Sequence, residues 1–216
     1  MAKKKEETKE IRYGWKPSEI DGSEYEFDFI PNFKIPEEYS YVDFLPPIEN
    51  QGNTNMCVTY ALVAHLNWNF TVDHAKNNTE PIHIDKKEIY NVRKIPGDNG
   101  MTFKEALSYV RKHGVKSDYG NVKIERYSMV KSIESLKQAL LLNGPCIGGM
   151  YVKDNNKTEF WIGNQNNGGH AIAIVGYDKK GFIIRNSWGK NYGNRGYATL
   201  KYEDFHCLLE CWTIVD

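Results

Sequence analysis

Long apolar runs, an excess of either charge and a dense set of cysteines are all missing from this chain. No apolar stretch reaches the roughly 18 residues of a membrane span, so a membrane is not expected as a partner. Lys plus Arg and Asp plus Glu number 28 each, and a balance of that kind calls for no nucleic acid or charged surface. Four cysteines (Cys57, Cys146, Cys207, Cys211) are too few and too scattered for a disulfide framework. The first ten residues are charged and lack the apolar stretch of a secretory signal. They read as a solvated tail, and reduced thiols in a cytoplasmic or other intracellular setting are expected. On that expectation the sequons at Asn69, Asn77 and Asn156 carry no weight. Internal repeats and low-complexity segments are also lacking.

What is present suits one ordered domain. The length of 216 residues is enough for a substantial core, and 14 Tyr with 5 Trp favour a packed globule over a disordered chain. Five of the eight prolines fall between residues 11 and 50. Proline fixes φ and blocks helix, so residues 11–45 read as an extended strap laid over a body that spans 46–216.

Within the body the apolar periodicity changes character. Val58, Ala61, Leu62, Leu66 and Phe70 predict a helix over 57–70, with Thr54 or Asn55 able to cap its start. A shorter helix is expected over 85–92. Another starts at Thr102, whose spacing to Glu105 forms a capping box, and stops at Gly114. A fourth runs over 132–142, ended by Asn143-Gly144-Pro145. Short apolar or alternating runs at 146–152, 170–177, 181–186, 196–202 and 211–215 then predict strands. Helices over about 50–142 followed by strands over about 143–216 argue an α+β fold of two facing lobes.

Three ordered motifs carry chemistry. Gln51-Gly52 precedes Cys57 by a short polar loop, Gly169-His170-Ala171 opens an apolar strand, and Arg185-Asn186-Ser187-Trp188-Gly189 leads into Tyr192-Gly193-Asn194-Arg195-Gly196-Tyr197. Together they resemble the nucleophile loop, histidine strand and asparagine block of papain-like cysteine peptidases, in the same order. The interval of 16 residues from His170 to Asn186 is also similar. The resemblance extends through Ile95 to Gly100, through Leu140 to Pro145, and through Gly14-Trp15-Lys16-Pro17 with Asp21, which is similar to the lead of compact bacterial- and virus-type members. It covers roughly residues 12–216. Departures are Thr54 in place of a disulfide cysteine and Val58 in place of an aromatic. The separation of 113 residues from Cys57 to His170 is shorter than the family's ~130–150, which implies trimmed loops. The long inhibitory propeptide of lysosomal and plant members has no counterpart in residues 1–45.

The resemblance implies a papain-like fold with a peptide-binding cleft between the lobes and a catalytic set of Cys57, His170, Asn186 and Gln51. Cys57 would attack the carbonyl and His170 would carry the proton. Asn186 would orient the imidazole, and Gln51 would donate to the oxyanion beside the Cys57 N–H. A helix N-terminus and a nearby imidazolium can hold a thiol at roughly 3.5–7.5, so a thiolate–imidazolium pair is expected. Trp188 would cover the His–Asn hydrogen bond, and Gly100, Gly169 and Trp188 would line the substrate groove. No metal or organic cofactor is needed, and the partner is a peptide or protein substrate.

Blander readings compete. A single cysteine opening a helix is usually structural, and only the company of Gln51, His170 and Asn186 reverses that. Cys207 and Cys211 with His206 form a weak metal set and read as core or surface thiols. His65, His74, His83 and His113 read as ordinary helix or loop residues. The same triad would also serve an acyl transferase or isopeptidase, and a papain-like binding module without catalysis is the rival from another class. Residues 11–40 carry Tyr13, Trp15, Tyr25, Phe27 and Phe29, and the family's habit of autoinhibition suggests that they cross the cleft.

Overall fold

The helix that opens at Cys57 runs to His74 (α1, Cys57–His74) and has almost no wet side in its first three turns. From Cys57 to Asn67 every residue except Tyr60 is buried. A helix hydrophobic all round is a core helix rather than a surface one, so the one-sided spacing in the sequence understates its burial. Two of its buried polar side chains bond within the turn, Thr59 Oγ1 donating to the Met56 carbonyl (2.8 Å) and Asn67 Nδ2 to the Val63 carbonyl (3.2 Å), while buried His65 reaches Pro145 O (2.7 Å). The computed structural model describes residues 13–74, 82–95, 97, 99–153 and 167–216. The charged tail over 1–10 and the start of the strap lie outside the described residues.

Three further helices complete the first lobe. In α2 (Lys86–Tyr90) the Asp85 side chain accepts from the backbone N–H groups of Lys87 and Glu88. In α3 (Phe103–His113) the capping box of Thr102 and Glu105 is present, and Gly114 ends the helix at φ 78°. In α4 (Ile133–Asn143) Ser132 caps the start. It ends at Gly144, whose φ is +87° and where a Cβ would sit 2.0 Å from the Trp68 ring. Only glycine fits that close approach.

The strands are β1 (Tyr39–Ser40), β2 (Val115–Ser117), β3 (Gly120–Val122), β4 (Arg126–Met129), β5 (Cys146–Val152), β6 (Gly168–Tyr177), β7 (Gly181–Arg185), β8 (Tyr197–Lys201) and β9 (Glu210–Val215). One antiparallel sheet runs β4-β9-β5-β6-β7-β8, with β1 paired to β6, and β2 with β3 forms a separate hairpin. The α+β papain-like fold is therefore present, but strands are not confined to the second half. β2, β3 and β4 at 115–129 escape a sequence reading because each has three or four residues, too few to establish a period of two. β4 is a strand only because its register with β9 supplies its partners. β6 begins at Gly168, two residues before the expected start, because Gly168 and Gly169 pair with Val152 and Tyr151.

α1 packs on β5 and β6, and one apolar cluster joins it to α3 and to Ile147, Ala171 and Trp212 of the sheet. That seam sets Cys57 beside the strand that carries His170. A second cluster fills the sheet's other side around α4. No helix among the described residues is long and apolar enough to cross a membrane. The start of α3 matters to the seam because it fixes Gly100 and Met101 just ahead of it. Thr102→Ala removes one half of the capping box and should lower unfolding free energy by about 1 kcal/mol, read as a lower urea midpoint at unchanged m-value.

Candidate active site

Cys57 is the first residue of α1 and is fully buried. His170 lies in β6 and Asn186 directly follows β7, so adjacent antiparallel strands present them side by side. His170 Nε2 lies 2.8 Å from Asn186 Oδ1. The Ser187 backbone N–H donates to the same oxygen at 2.7 Å, which identifies that atom as the acceptor. Nε2 must therefore carry the hydrogen, which makes Nδ1 the acceptor nitrogen of the neutral ring. Trp188 stacks on the imidazole at 4.3 Å between ring centres and 28° between planes. It roofs the His–Asn bond from water, which strengthens it. The backbone N–H of Ala171, one residue past His170, is directed at the Cys57 sulfur.

Gln51 is buried on the loop ahead of α1. Its Nε2 donates to the Thr54 carbonyl (2.7 Å), and its Oε1 accepts from Ser187 Oγ (2.6 Å). The loop is zipped to the stretch after Asn186 by backbone bonds, Gln51 N–H to Ser187 O (2.8 Å) and Gly189 N–H to Glu49 O (3.0 Å). The Thr54 hydroxyl donates to the Gln51 carbonyl at 2.7 Å, so it braces the loop where the resembled family has a cysteine. Ser187 was not singled out by sequence reasoning, although it sits inside the Asn186-Ser187-Trp188 motif.

The strap occupies the groove between the lobes. Trp15 N–H donates to Gly169 O (3.0 Å), Met101 N–H to Gly14 O (2.8 Å) and Lys16 N–H to Met101 O (3.1 Å). Residues 14–16 thus form strand-like bonds with both walls, running parallel to Met101. The approach is close: a Cβ on Gly100 would lie 1.9 Å from Gly14 O, and one on Gly169 2.3 Å from Trp15 O. Gly100 and Gly169, expected to line a substrate groove, line the strap. Trp15 is buried at 1% exposure against Phe103 and Tyr151 (ring centres 6.3 and 5.9 Å) and over Gly149. Its indole N–H has no hydrogen-bond partner among the described residues. Tyr13 meets Trp188 edge-on at 6.1 Å. Farther along, Ser18 N–H donates to the buried carboxylate of Glu210 (3.1 Å), which also accepts from Trp212 Nε1 (2.7 Å). Lys104 pairs with Glu24, and Gln138 takes both backbone groups of Ile30.

Covering the cleft sets its electrostatics. Burial pushes the Cys57 thiol up to about 11, against smaller opposing pulls from the N–H groups of Ala171, Gly14, Val58 and Cys57 itself. Burial likewise lowers His170 to about 4, opposed by its bond to Asn186. Burial thus opposes the expected thiolate–imidazolium pair, since it disfavours each charged form. Among the described residues no group of three or more His, Cys, Asp or Glu is arranged to hold a metal. The depressed His170 contributes stability that is complete above its usual 6.5 and lost as pH falls through about 4, on the order of 3 kcal/mol. The raised Cys57 contributes below its usual 9 and loses it as pH rises through about 11. Thermal unfolding should therefore show a plateau between those limits, and His170→Gln should flatten its acid side.

Comparison with known proteins places this geometry. The chain is 25% identical to an uncharacterized peptidase C1-like protein of Acanthamoeba polyphaga mimivirus, over 92% of this chain and 76% of that one. It is also 25% identical to a viral cathepsin of Cydia pomonella granulosis virus, over 82% of this chain, and there it spans only 61% of the relative's length. The crystal structure of xylellain, a cysteine protease from Xylella fastidiosa, superposes with a TM-score of 0.78 at 25% identity, covering 94% of this chain and 95% of that one. The model of the papain family cysteine proteases matches residues 36–214. The chain belongs to the papain family of cysteine proteases.

Proposed function

We propose that this cysteine peptidase cleaves peptide bonds by acyl transfer to Cys57, with His170 and Asn186 completing a triad, and that residues 13–18 hold it shut. The observation that carries the first part is the Asn186 amide oxygen, which takes the His170 Nε2–H and so assigns Nδ1 to the thiol. With the cleft open and hydrated, Cys57 gives its proton to His170 Nδ1 and the sulfur attacks the substrate carbonyl carbon. The oxyanion is held by the Cys57 N–H and the Gln51 NH2. As the C–N bond breaks, the His170 imidazolium protonates the leaving amine, and a thioester remains. Water attacks that thioester with His170 as the base, releasing the acid and restoring the thiol.

The second part follows from what faces the sulfur. The Gly14 N–H is directed at it, whereas the Gly14 carbonyl accepts from Met101 and the Trp15 carbonyl lies against Gly169. An N–H offers no electrophile, so these peptide groups are bound without being attacked. The strap's bonds to Gly169 and Met101 occupy the backbone groups through which the groove would grip an extended substrate. Trp15 fills the pocket formed by Met101, Phe103, Gly149 and Tyr151, which suits a large apolar side chain.

Iodoacetamide should label Cys57 faster than a free thiol once the strap is loosened, with the adduct mapped by peptide mass spectrometry. Cys57→Ala should abolish cleavage of a fluorogenic peptide, and retained cleavage would sink the peptidase assignment. Truncating a buried Trp to Ala removes about 3–5 kcal/mol of packing. In the full chain, Trp15→Ala should therefore raise kcat/KM at least roughly tenfold. Unchanged or lost activity in a folded variant would make the strap a structural element only.

A further inference from the structure

We propose that Ser187, assisted by Thr54, is a positioning residue that fixes which end of the Gln51 amide faces the reacting carbonyl; this rests on the peptidase reading above. An amide side chain has two ends of nearly equal size and opposite hydrogen-bonding character. Gln51 can serve an oxyanion only if its nitrogen end is turned toward the cleft. The Thr54 carbonyl is an acceptor only, so the 2.7 Å contact selects Nε2 on that side. The Ser187 hydroxyl, 2.6 Å from Oε1, then donates to the other end. One acceptor and one donor thus hold the amide in a single sense.

Ser187 does more than hold Gln51. Its N–H donates to Asn186 Oδ1 (2.7 Å), its carbonyl accepts from Gln51 N–H (2.8 Å) and its Oγ donates to Gln51 Oε1. A single buried residue therefore bonds to both the group that orients His170 and the group that would meet the oxyanion. The first belongs to the sheet and the second to the loop ahead of α1, so Ser187 sets their mutual position across the lobes. Thr54 completes the clamp from the loop side, its Oγ1 donating to the Gln51 carbonyl (2.7 Å). Nothing in this unit touches substrate, which is why its effect must appear through Gln51.

The test exploits a reaction that makes no oxyanion. Kinetics are read in the full chain carrying Trp15→Ala, with a fluorogenic peptide for turnover and iodoacetamide for direct displacement at the Cys57 sulfur. Removing an oxyanion donor outright costs about 10²–10³ in kcat. Ser187→Ala, which only misaims one, should lower kcat about 10- to 100-fold with KM within about twofold. Alkylation of Cys57 should stay within about twofold of the parent, since displacement needs no such donor. In a Gln51→Ala background, adding Ser187→Ala should change kcat by less than about twofold. Thr54→Val should give the same split with a smaller loss, and it carries the test if Ser187→Ala does not fold. Turnover and alkylation falling together, or Ser187→Ala costing the same factor in both backgrounds, would overturn the positioning role. A parent whose Cys57 reacts no faster than a free thiol would instead overturn the peptidase reading beneath it.

Discussion

Everything at this site depends on the seating of α1 against β5 and β6. The thiol and the imidazole come from positions 113 residues apart, and no local interaction could bring them together. A helix buried on all sides over Cys57 to Asn67 has little freedom to slide or rotate, because any shift would open gaps in a close-packed interior. Its N-terminus is thereby fixed beside Ala171, and the register of β6 with β7 fixes Asn186 beside His170. The chemistry of the site is thus inherited from packing several residues away from it.

Around that seam the lobes are joined by polar bonds of a different kind. The loop carrying Gln51 is paired to the stretch carrying Ser187 and Gly189, and the strap is paired to Gly169 on one wall and Met101 on the other. Backbone bonds of this sort are directional and are lost singly, so they suit contacts that must be exact in orientation yet separable from the core. Burial of Trp15 adds an apolar anchor, weakened by an indole N–H that finds no partner among the described residues. An unsatisfied buried donor of that kind costs about 1–3 kcal/mol, which keeps the strap's grip below what its area alone would suggest. The covering also acts on Cys57 and His170, because removing water disfavours the charged form of each.

Much of this was legible in the sequence, for identifiable reasons. Caps act through neighbours three residues away, so Thr102 with Glu105, Ser132 and the stop at Gly114 could be read directly, as could the strand over Cys146–Val152 with its unbroken apolar run. β4 could not be read, because the alternation over Arg126–Met129 is too short to establish a period, and its ladder is supplied by β9. Gly168 and Gly169, by which β6 begins early, carry no apolar side chain to read, yet a Cβ there would meet the Tyr13 ring and the Trp15 carbonyl of the strap. At the site, Cys57, His170, Asn186 and Gln51 stood out by residue type and order. Ser187 did not, since a serine beside a catalytic motif has no property that reveals where its hydroxyl points.

Through its resemblance to papain-like peptidases, the amino-acid sequence by itself pointed to the family, the order of the lobes, and the residues proposed as nucleophile, base, orienter and oxyanion donor. That resemblance rests on three ordered motifs of fixed residue type and local spacing, which survive without a fold. Only the tertiary structure decided the burial of the thiol and imidazole, the use of Thr54 as a loop brace, and the direction in which the strap crosses the cleft. Each of these depends on what lies within a few ångströms in space, and residues 14, 54, 101, 169 and 187 become neighbours only when both lobes close on α1.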